Sequence, residues 1–366
     1  MRHRRSLLLL AAVTLGGCGG DTGNPFAAFS RTETPEPAAD LIFVSNLHDP
    51  ASPLREVFAL DVDGGEPQQL TFCTRDDVSC DAVAADLAPD RRRLAVRRID
   101  GDLDRDGDLD ADDGVALYVT DLERGLDTLF VEAAARVSGV EWSPNADLLV
   151  YSARTPLGQG AQGVGGDDIY RVSGTRQDLF NLTESPPLLE RNPRLDPSGS
   201  VALFERTQPV GDLTDLVATL TDPSGVSEVW LFQNTANQIP ITQPAAAGGG
   251  ARLPGTPHLV GSHADGVFSP DTSEIAFRRL TGLGAGRGNW ELRAIGFEDR
   301  VERSLAAGDA YRSAPDWSSQ GLVFAESDGA STRLLLLDPA TGALRVLLTF
   351  APDVRIDVPR WLAPAP

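Results

Sequence analysis

From about residue 40 onward the chain alternates short apolar runs with clusters of proline, glycine, aspartate and serine. One unit, a tight turn followed by an apolar strand, recurs. It reads ADLAPDRRRLAVRRI from Ala85, VEWSPNADLLVYSAR from Val140, PRLDPSGSVALFERT from Pro193, GVFSPDTSEIAFRRL from Gly266 and PDWSSQGLVFAES from Pro315. An apolar residue (Leu87, Trp142, Leu195, Phe268, Trp317) precedes each turn and is expected to pack inward. Pro89, Pro144, Pro197 and Pro270 anchor four of the turns, with Ser319 in that place in the fifth. Proline presets φ, and the Asp, Asn or Ser beside it hydrogen-bonds to nearby backbone, so the chain reverses there. The apolar run that follows each turn reads as a buried strand.

Two more strands follow each of these units. The second set is EVFALDVDGG, VALYVTDLERG, DIYRVSG, EVWLFQN, WELRAIG and RLLLLDPATG; the third is PQQLTF, LDTLFVEA, QDLFNLTES, NQIPITQP, VERSLAAG and LRVLLTFA. Both sets occur six times, whereas the turn unit is complete only five times. The missing copy is split between the termini. Pro359-Arg360-Trp361 matches Pro315-Asp316-Trp317, and the apolar strand that should follow is Leu41-Ile42-Phe43-Val44. A circular array needs this division, because the first strand then completes the last blade and removes the open sheet edges. The expected fold is all-β: a six-bladed β-propeller over residues 40–366, closed by the N-terminal strand.

The repeat resembles that of TolB-like β-propellers. The matching features are Trp142-Ser143-Pro144-Asn145 with its following apolar strand, an aromatic-containing second strand ending near Asp-x-x-x-Gly, and a Leu-Thr close to the third strand. The likeness covers residues 40–366 and implies a binding module of the bacterial envelope.

Spacings between successive anchors are 55, 53, 73, 49 and 44 residues along Pro89, Pro144, Pro197, Pro270, Ser319 and Ala363. A blade needs about 40–45 residues, so the excess marks insertions. They are residues 100–114, the Gly-rich 158–166, and 208–227 together with PAAAGGGARLPGTPH. Such loops lie at the rims, where partners are met.

The first insertion, DGDLDRDGDLDADDG, carries the sharpest chemical signal, with Asp at eight of its fifteen positions. Aligned from Asp102, it places Asp102, Asp104 and Asp106 at positions 1, 3 and 5 of a calcium loop. Gly107 then stands at the sharp turn, and Asp108 supplies a backbone carbonyl. Asp110 acts through water, and Asp113 closes the loop at position 12. No neighbouring register puts a glycine at the turn. The loop resembles EF-hand and dockerin calcium loops, although a strand rather than a helix follows it. Calcium is the expected ion, since it accepts many oxygens with loose geometry. The competing reading is an acidic spacer.

The first residues change the picture of where the protein works. MRHRRSLLLLAAVTLGGC has a basic start, an apolar run too short to span a bilayer, and small residues before Cys18. This order reads as an export signal over residues 1–17. Its end resembles a bacterial lipobox, which implies lipidation of Cys18 and hence membrane attachment. Residues 18–39 read as a flexible tether. The expected location is the bacterial cell envelope, lipid-anchored, at the outer membrane facing the periplasm or the cell surface. Export also sets the redox context. Cys73 and Cys80, with six residues between them, are expected to form a disulfide; a zinc site would need a second ligand pair nearby.

The net charge is −21, and loss of residues 1–17 leaves 53 acidic against 29 basic residues. Such a surface repels nucleic acid, so no nucleic-acid partner is expected. Every basic residue is arginine, which excludes Schiff-base chemistry and lysine-dependent phosphate loops.

Catalytic residues are not evident. His48 is alone, and His258 and His263 lie five apart on a Gly/Pro-rich segment that does not fix both rings on one face. No G-x-S-x-G elbow occurs. Arg91, Arg92, Arg93, Arg97 and Arg98 could bind an acidic group, but read first as strand-edge cations balancing the Asp insertion. The expected function is non-catalytic binding of an envelope protein or glycan. The alternative is a propeller enzyme, a lyase or hydrolase acting on envelope polysaccharide or peptide. A channel with convergent titratable groups would favour the alternative.

Overall fold

The computed structural model describes residues 39–72, 80–102, 105–107, 109, 113–154, 167–176, 178–184, 188–207, 227–234, 237–244, 251–254, 256, 258–284 and 286–362. Its elements are antiparallel meanders in chain order. The first holds β1 (Leu41–Ser45), β2 (Glu56–Leu60) and β3 (Gln68–Gln69). The second holds β4 (Asp81–Leu87), β5 (Arg93–Ile99), β6 (Ala116–Asp121) and β7 (Leu126–Val131). Then come β8 (Gly139–Trp142), β9 (Leu148–Arg154), β10 (Asp167–Ser173) and β11 (Phe180–Asn181), followed by β12 (Leu189–Leu195), β13 (Ala202–Thr207), β14 (Ser227–Asn234) and β15 (Asn237–Pro240). These two sets join into one sheet through a single parallel pairing, Asp167 opposite Leu189. The fifth set is β16 (His263–Phe268), β17 (Glu274–Gly282), β18 (Asn289–Gly296) and β19 (Glu302–Ala306). The last is β20 (Tyr311–Arg312), β21 (Asp316–Ser318), β22 (Gly321–Ser327), β23 (Thr332–Leu337) and β24 (Leu344–Phe350).

The final strand, β25 (Ile356–Trp361), pairs with β1, setting Leu41 opposite Trp361 and Ser45 opposite Ile356. The split repeat is thus joined in one sheet, ordered β25-β1-β2-β3. Three of its strands come from the amino-terminal end and one from the other. The last strand therefore completes the first meander, rather than the first strand completing the last.

Apolar side chains hold successive meanders face to face. Ile42, Val44 and Val57 pack with Leu87, Leu94 and Val96. Ala95 and Leu117 pack with Trp142 and Tyr151, and Val150 and Ile169 with Phe204. Leu203 and Val229 meet Phe268 and Phe277, and Val267 and Leu292 meet Leu322 and Phe324. The sixth cluster brings Val323 and Leu334 against Leu41 and Phe43 of the first meander. Each fully buried side chain of this size contributes about 1.5–3 kcal/mol, so the faces between meanders form the core.

The repeated turns have a shared local cause. Asn145 and Asp271 accept hydrogen bonds from the Ser143 and Ser269 hydroxyls at 2.7 Å. The same hydroxyls accept Leu148 N–H at 2.9 Å and Glu274 N–H at 3.0 Å. Arg91, Ala146, Gly199 and Thr272 then take left-handed φ of 56°, 60°, 71° and 59°. Each donates its N–H to the carbonyl three residues back at 2.8–2.9 Å. The Leu-Thr signal also has a role: Thr71 and Thr183 accept the N–H of Val57 and Ile169 at 2.9 and 3.0 Å, and Thr242 repeats this at Val229.

The sequence reading counts three strands per repeat, and the structure has four. The additional strand is the first of each set, such as Asp81–Leu87 (DAVAADL) or Leu189–Leu195 (LERNPRL). Its charges and its Asn-Pro break the apolar pattern that marks the others.

Strand direction sorts the connections into two ends. Each first strand runs away from one end and the next returns to it. Connections β5–β6, β9–β10, β13–β14 and β17–β18, and those between meanders, therefore all leave from the end where first strands begin. This is the loop end. The insertions named from sequence all belong to it. The short repeated turns occupy the opposite, turn end.

Candidate functional site

The first strands border one cavity of about 40 Å³. Ala84 of β4, Val140 of β8, Pro193 of β12, Asp265 of β16 and Val358 of β25 all line it, with Ala314 from the segment joining β20 to β21. Every meander thus contributes. The strands bulge where they line it. Register breaks fall between Ala82 and Ala84, between Arg191 and Arg194, and between Ala264 and Val267. Asn192, Asp265 and Val358 adopt left-handed φ of 50°, 52° and 45°. A valine there carries strain, which is retained where the surroundings over-determine the backbone. Gly139 has no room for a side chain, since a Cβ would come 2.6 Å from Asn192 Cα.

Ionic groups from distant parts of the chain converge at the loop end. Arg55 binds Asp81 in two-pronged fashion and reaches Asp357 at 3.2 Å. Asp357 also takes Arg287 and the Tyr311 hydroxyl, the latter at 2.8 Å. Burial raises the Asp357 carboxyl, but Arg287, Arg55 and Arg355 outweigh it and hold the group far below its ordinary range. Arg191 pairs with Asp167 at 2.9 Å, and Arg278 pairs with Asp265. Asp265 also accepts Asn192 Nδ2 at 3.2 Å. His258 Nε2 lies 2.7 Å from Glu205 Oε1, its ring edge-on to Trp290. Burial raises Glu205, yet His258 and Arg191 hold it below its usual value.

Arg97 differs from its neighbours. It lines the cavity and donates Nε to the Val137 carbonyl at 3.0 Å. Among the described residues it has no carboxylate at ion-pair distance. Burial, reinforced by Arg55 and Arg191, lowers it to about 9 in spite of Asp265.

A second network lies at the turn end of the first strands. Arg194 bridges Glu141 and Asp316. Asp86 accepts Trp142 N–H at 2.6 Å, and Asp316 accepts Trp361 N–H at 2.7 Å. Burial pushes Asp86 up to about 7 and Glu141 up to about 8, against the pull of Arg194. Larger recesses of about 580 and 740 Å³ also lie at the turn end, between exposed turns around Asp271 and Asp338 or Asp299. The acids there are occupied by their own turns, Asp271 with Ser273 and Asp338 with Ala340.

The residues singled out from sequence fare differently. Asp104, Asp108 and Asp110 lie outside the described residues. Asp102 and Asp106 are exposed, and Asp102 Oδ2 accepts Gly107 N–H at 3.0 Å. Gly107 has φ of 97°, the turn that the calcium register requires of it. Asp113 sits differently, only 2% exposed at the base of β6. Among the described residues no group of three or more metal-ligating side chains comes together. Cys18 and Cys73 lie outside the described residues; Cys80 is buried and disulfide-bonded.

The arginine reading needs correction. Arg98 does balance the insertion: it is fully buried, paired with Asp100 and Asp127, and stacked on Tyr118. Arg93 pairs instead with Asp90, and Arg91 binds the Ala39 carbonyl. Arg97, the next residue along β5, points to the cavity because side chains alternate along a strand. His258 and His263 serve separate partners, His263 being 3% exposed and tilted against Phe277. Sequence reasoning missed Arg55, Arg278, Asp265, Glu205 and Asp357, and read Arg97 first as a strand-edge cation. A pointer to several of them was available in the polar first strands ahead of each turn.

No protein-family model matches the sequence, and curated proteins give no match. Solved structures do resemble it. TolB from Acinetobacter baumannii aligns with a TM-score of 0.59 at 16% identity, over 88% of this chain and 66% of that one. A TolB from Agrobacterium tumefaciens gives 0.50 at 14%, over 88% and 98%. A prolyl endopeptidase gives 0.50 at 11%, over 91% and 52%. The chain thus spans about two thirds of the first of these proteins and about half of the peptidase. At these identities the likeness establishes the fold, a TolB-like β-propeller, and both TolB and an enzyme share it.

Proposed function

We propose that this chain is a non-catalytic binding propeller of the bacterial envelope, recognising a protein or glycan through its loop end. In this reading the meanders are six blades closed into a ring by the β1–β25 pairing. Lipidated Cys18 tethers the ring to a membrane, at the outer membrane facing the periplasm or cell surface. Nucleic acid is not a partner. The carrying observation is that the insertions and the convergent ionic groups occupy one end, while the other carries short turns and the Arg194 network. Loops set on a rigid scaffold are the usual sites of recognition.

The Asp insertion is read as a calcium loop at this end, through Asp102, Asp104, Asp106, Asp108 and Asp110, with Asp113 closing it. Asp102, exposed on the turn made by Gly107, supports this, and the ion would order the hairpin between β5 and β6.

One observation favours the enzyme alternative. The His258–Glu205 pair, Tyr311 and several arginines converge beside the cavity, as a lyase or hydrolase would need. Binding remains the better-supported reading on physical grounds. An acid–base group works best with a pKa near the operating pH, and Asp357 and Glu205 are held below the ordinary carboxylate range. The carboxyls raised toward neutrality, Asp86 and Glu141, are buried in the turn-end network.

The test is to incubate the purified chain with envelope polysaccharide and peptide pools. Co-sedimentation without new reducing ends or new amino termini is expected. Turnover that disappears in His258→Gln would replace the binding reading with the enzyme.

A further inference from the structure

We propose that the central cavity is an oxyanion site, built on Arg97 and Arg360, that takes a carboxylate or phosphate group. The proposal rests on the reading of this chain as a binding propeller. It stands on unmatched charge. The chain carries −21 overall, so carboxylates are plentiful, and Arg55, Arg191, Arg278 and Arg287 each hold one here. Arg97 and Arg360 both line the cavity, and neither has a carboxylate at ion-pair distance among the described residues. Arg360 Nη1 is buried without a hydrogen-bond partner.

An unpaired, partly desolvated guanidinium is costly, and its neighbours make it more so. Arg55 and Arg191 repel Arg97, which burial already lowers to about 9. The one carboxylate that helps, Asp265, is committed to Arg278 and Asn192. An anion would repay this cost. Guanidinium presents a planar fork of N–H donors that matches the paired oxygens of carboxylate or phosphate. A cavity of about 40 Å³ excludes a whole sugar or side chain. The ligand is therefore a small oxyanion or the anionic end of a larger molecule.

The full chain is melted in inorganic phosphate and, separately, in acetate, with chloride at matched ionic strength as the control. A ligand that binds only the folded state raises the melting temperature. At least one anion is expected to raise it above the chloride control, and Arg97→Gln is expected to weaken that binding tenfold or more. A response to phosphate alone assigns phosphoryl groups, and one to acetate alone assigns carboxylates. Without added anion Arg97→Gln should melt no lower than wild type, because it removes a lone charge. If that variant does not fold, Arg360→Gln serves in its place and is expected to weaken the response. No response to either anion in wild type, or equal responses in wild type and variant, would overturn the site. These readouts use small anions alone, so they remain separate from partner or turnover assays.

Discussion

At Thr272 a β-branched residue occupies a left-handed backbone position, with φ of 59° on an exposed turn. The equivalent place in another repeat holds Gly199, where a Cβ would also meet Pro144 Cδ at 2.9 Å. Such strain is of order 1–3 kcal/mol. Thr272→Gly should therefore raise the urea midpoint by about 1 kcal/mol equivalent, while Gly199→Ala lowers it. The buried carboxyls give a pH signature. Asp86 titrates near 7 in the fold and near 4 when unfolded. Between those values the folded chain holds a proton that the unfolded chain has released, so stability falls as pH rises through the window. Urea midpoints at about pH 5 and about pH 8 should differ in that sense, and Asp86→Asn should flatten the difference and stabilise the chain at the higher pH. Depression of Asp357 acts elsewhere, its contribution being lost only below about pH 4. Turn residues were legible in the sequence because their work is local: Ser143 and Asn145 serve bonds within five residues. Arg97 was not, because its surroundings, Arg55, Arg191 and Asp265, come from other meanders.

Elements were legible in proportion to their apolar regularity. The strands buried on both faces, such as β9 and β22, announce themselves in LLVYSAR and GLVFAES. The first strands do not, since small and charged residues are interspersed along them and their bulges interrupt the alternation. They carry Asp265, Arg194 and Asp357, so the least legible element holds much of the candidate site. The Asp insertion is the opposite case, readable because one register alone puts a glycine at the turn. If it holds calcium, chelation lowers the melting temperature, and Asp102→Ala with Asp106→Ala removes that response. Melting that ignores the chelator, together with no heat of calcium binding by calorimetry, would rule the loop out.

At the scale of the whole molecule, six apolar clusters link each meander to the next and the last to the first, and the β1–β25 pairing joins the termini. That arrangement was foreseeable because the split repeat left one unit divided between the ends. The ionic pairs beside the cavity were not, since they join side chains of different meanders, as Arg55 with Asp81 and Arg287 with Asp357. If Cys18 carries lipid, Cys18→Ser should move the protein from the membrane to the soluble fraction, as seen by fractionation. The central claim, that recognition belongs to the loop end, is tested most directly by photo-crosslinking in cells. A crosslinking side chain is placed at exposed Asp309 or Ala330, both on loop-end connections, and in parallel at exposed Glu123 or Thr341 on the turn end. Adducts from the first pair and none from the second are predicted; adducts from the second pair alone, or equally from both, would contradict it.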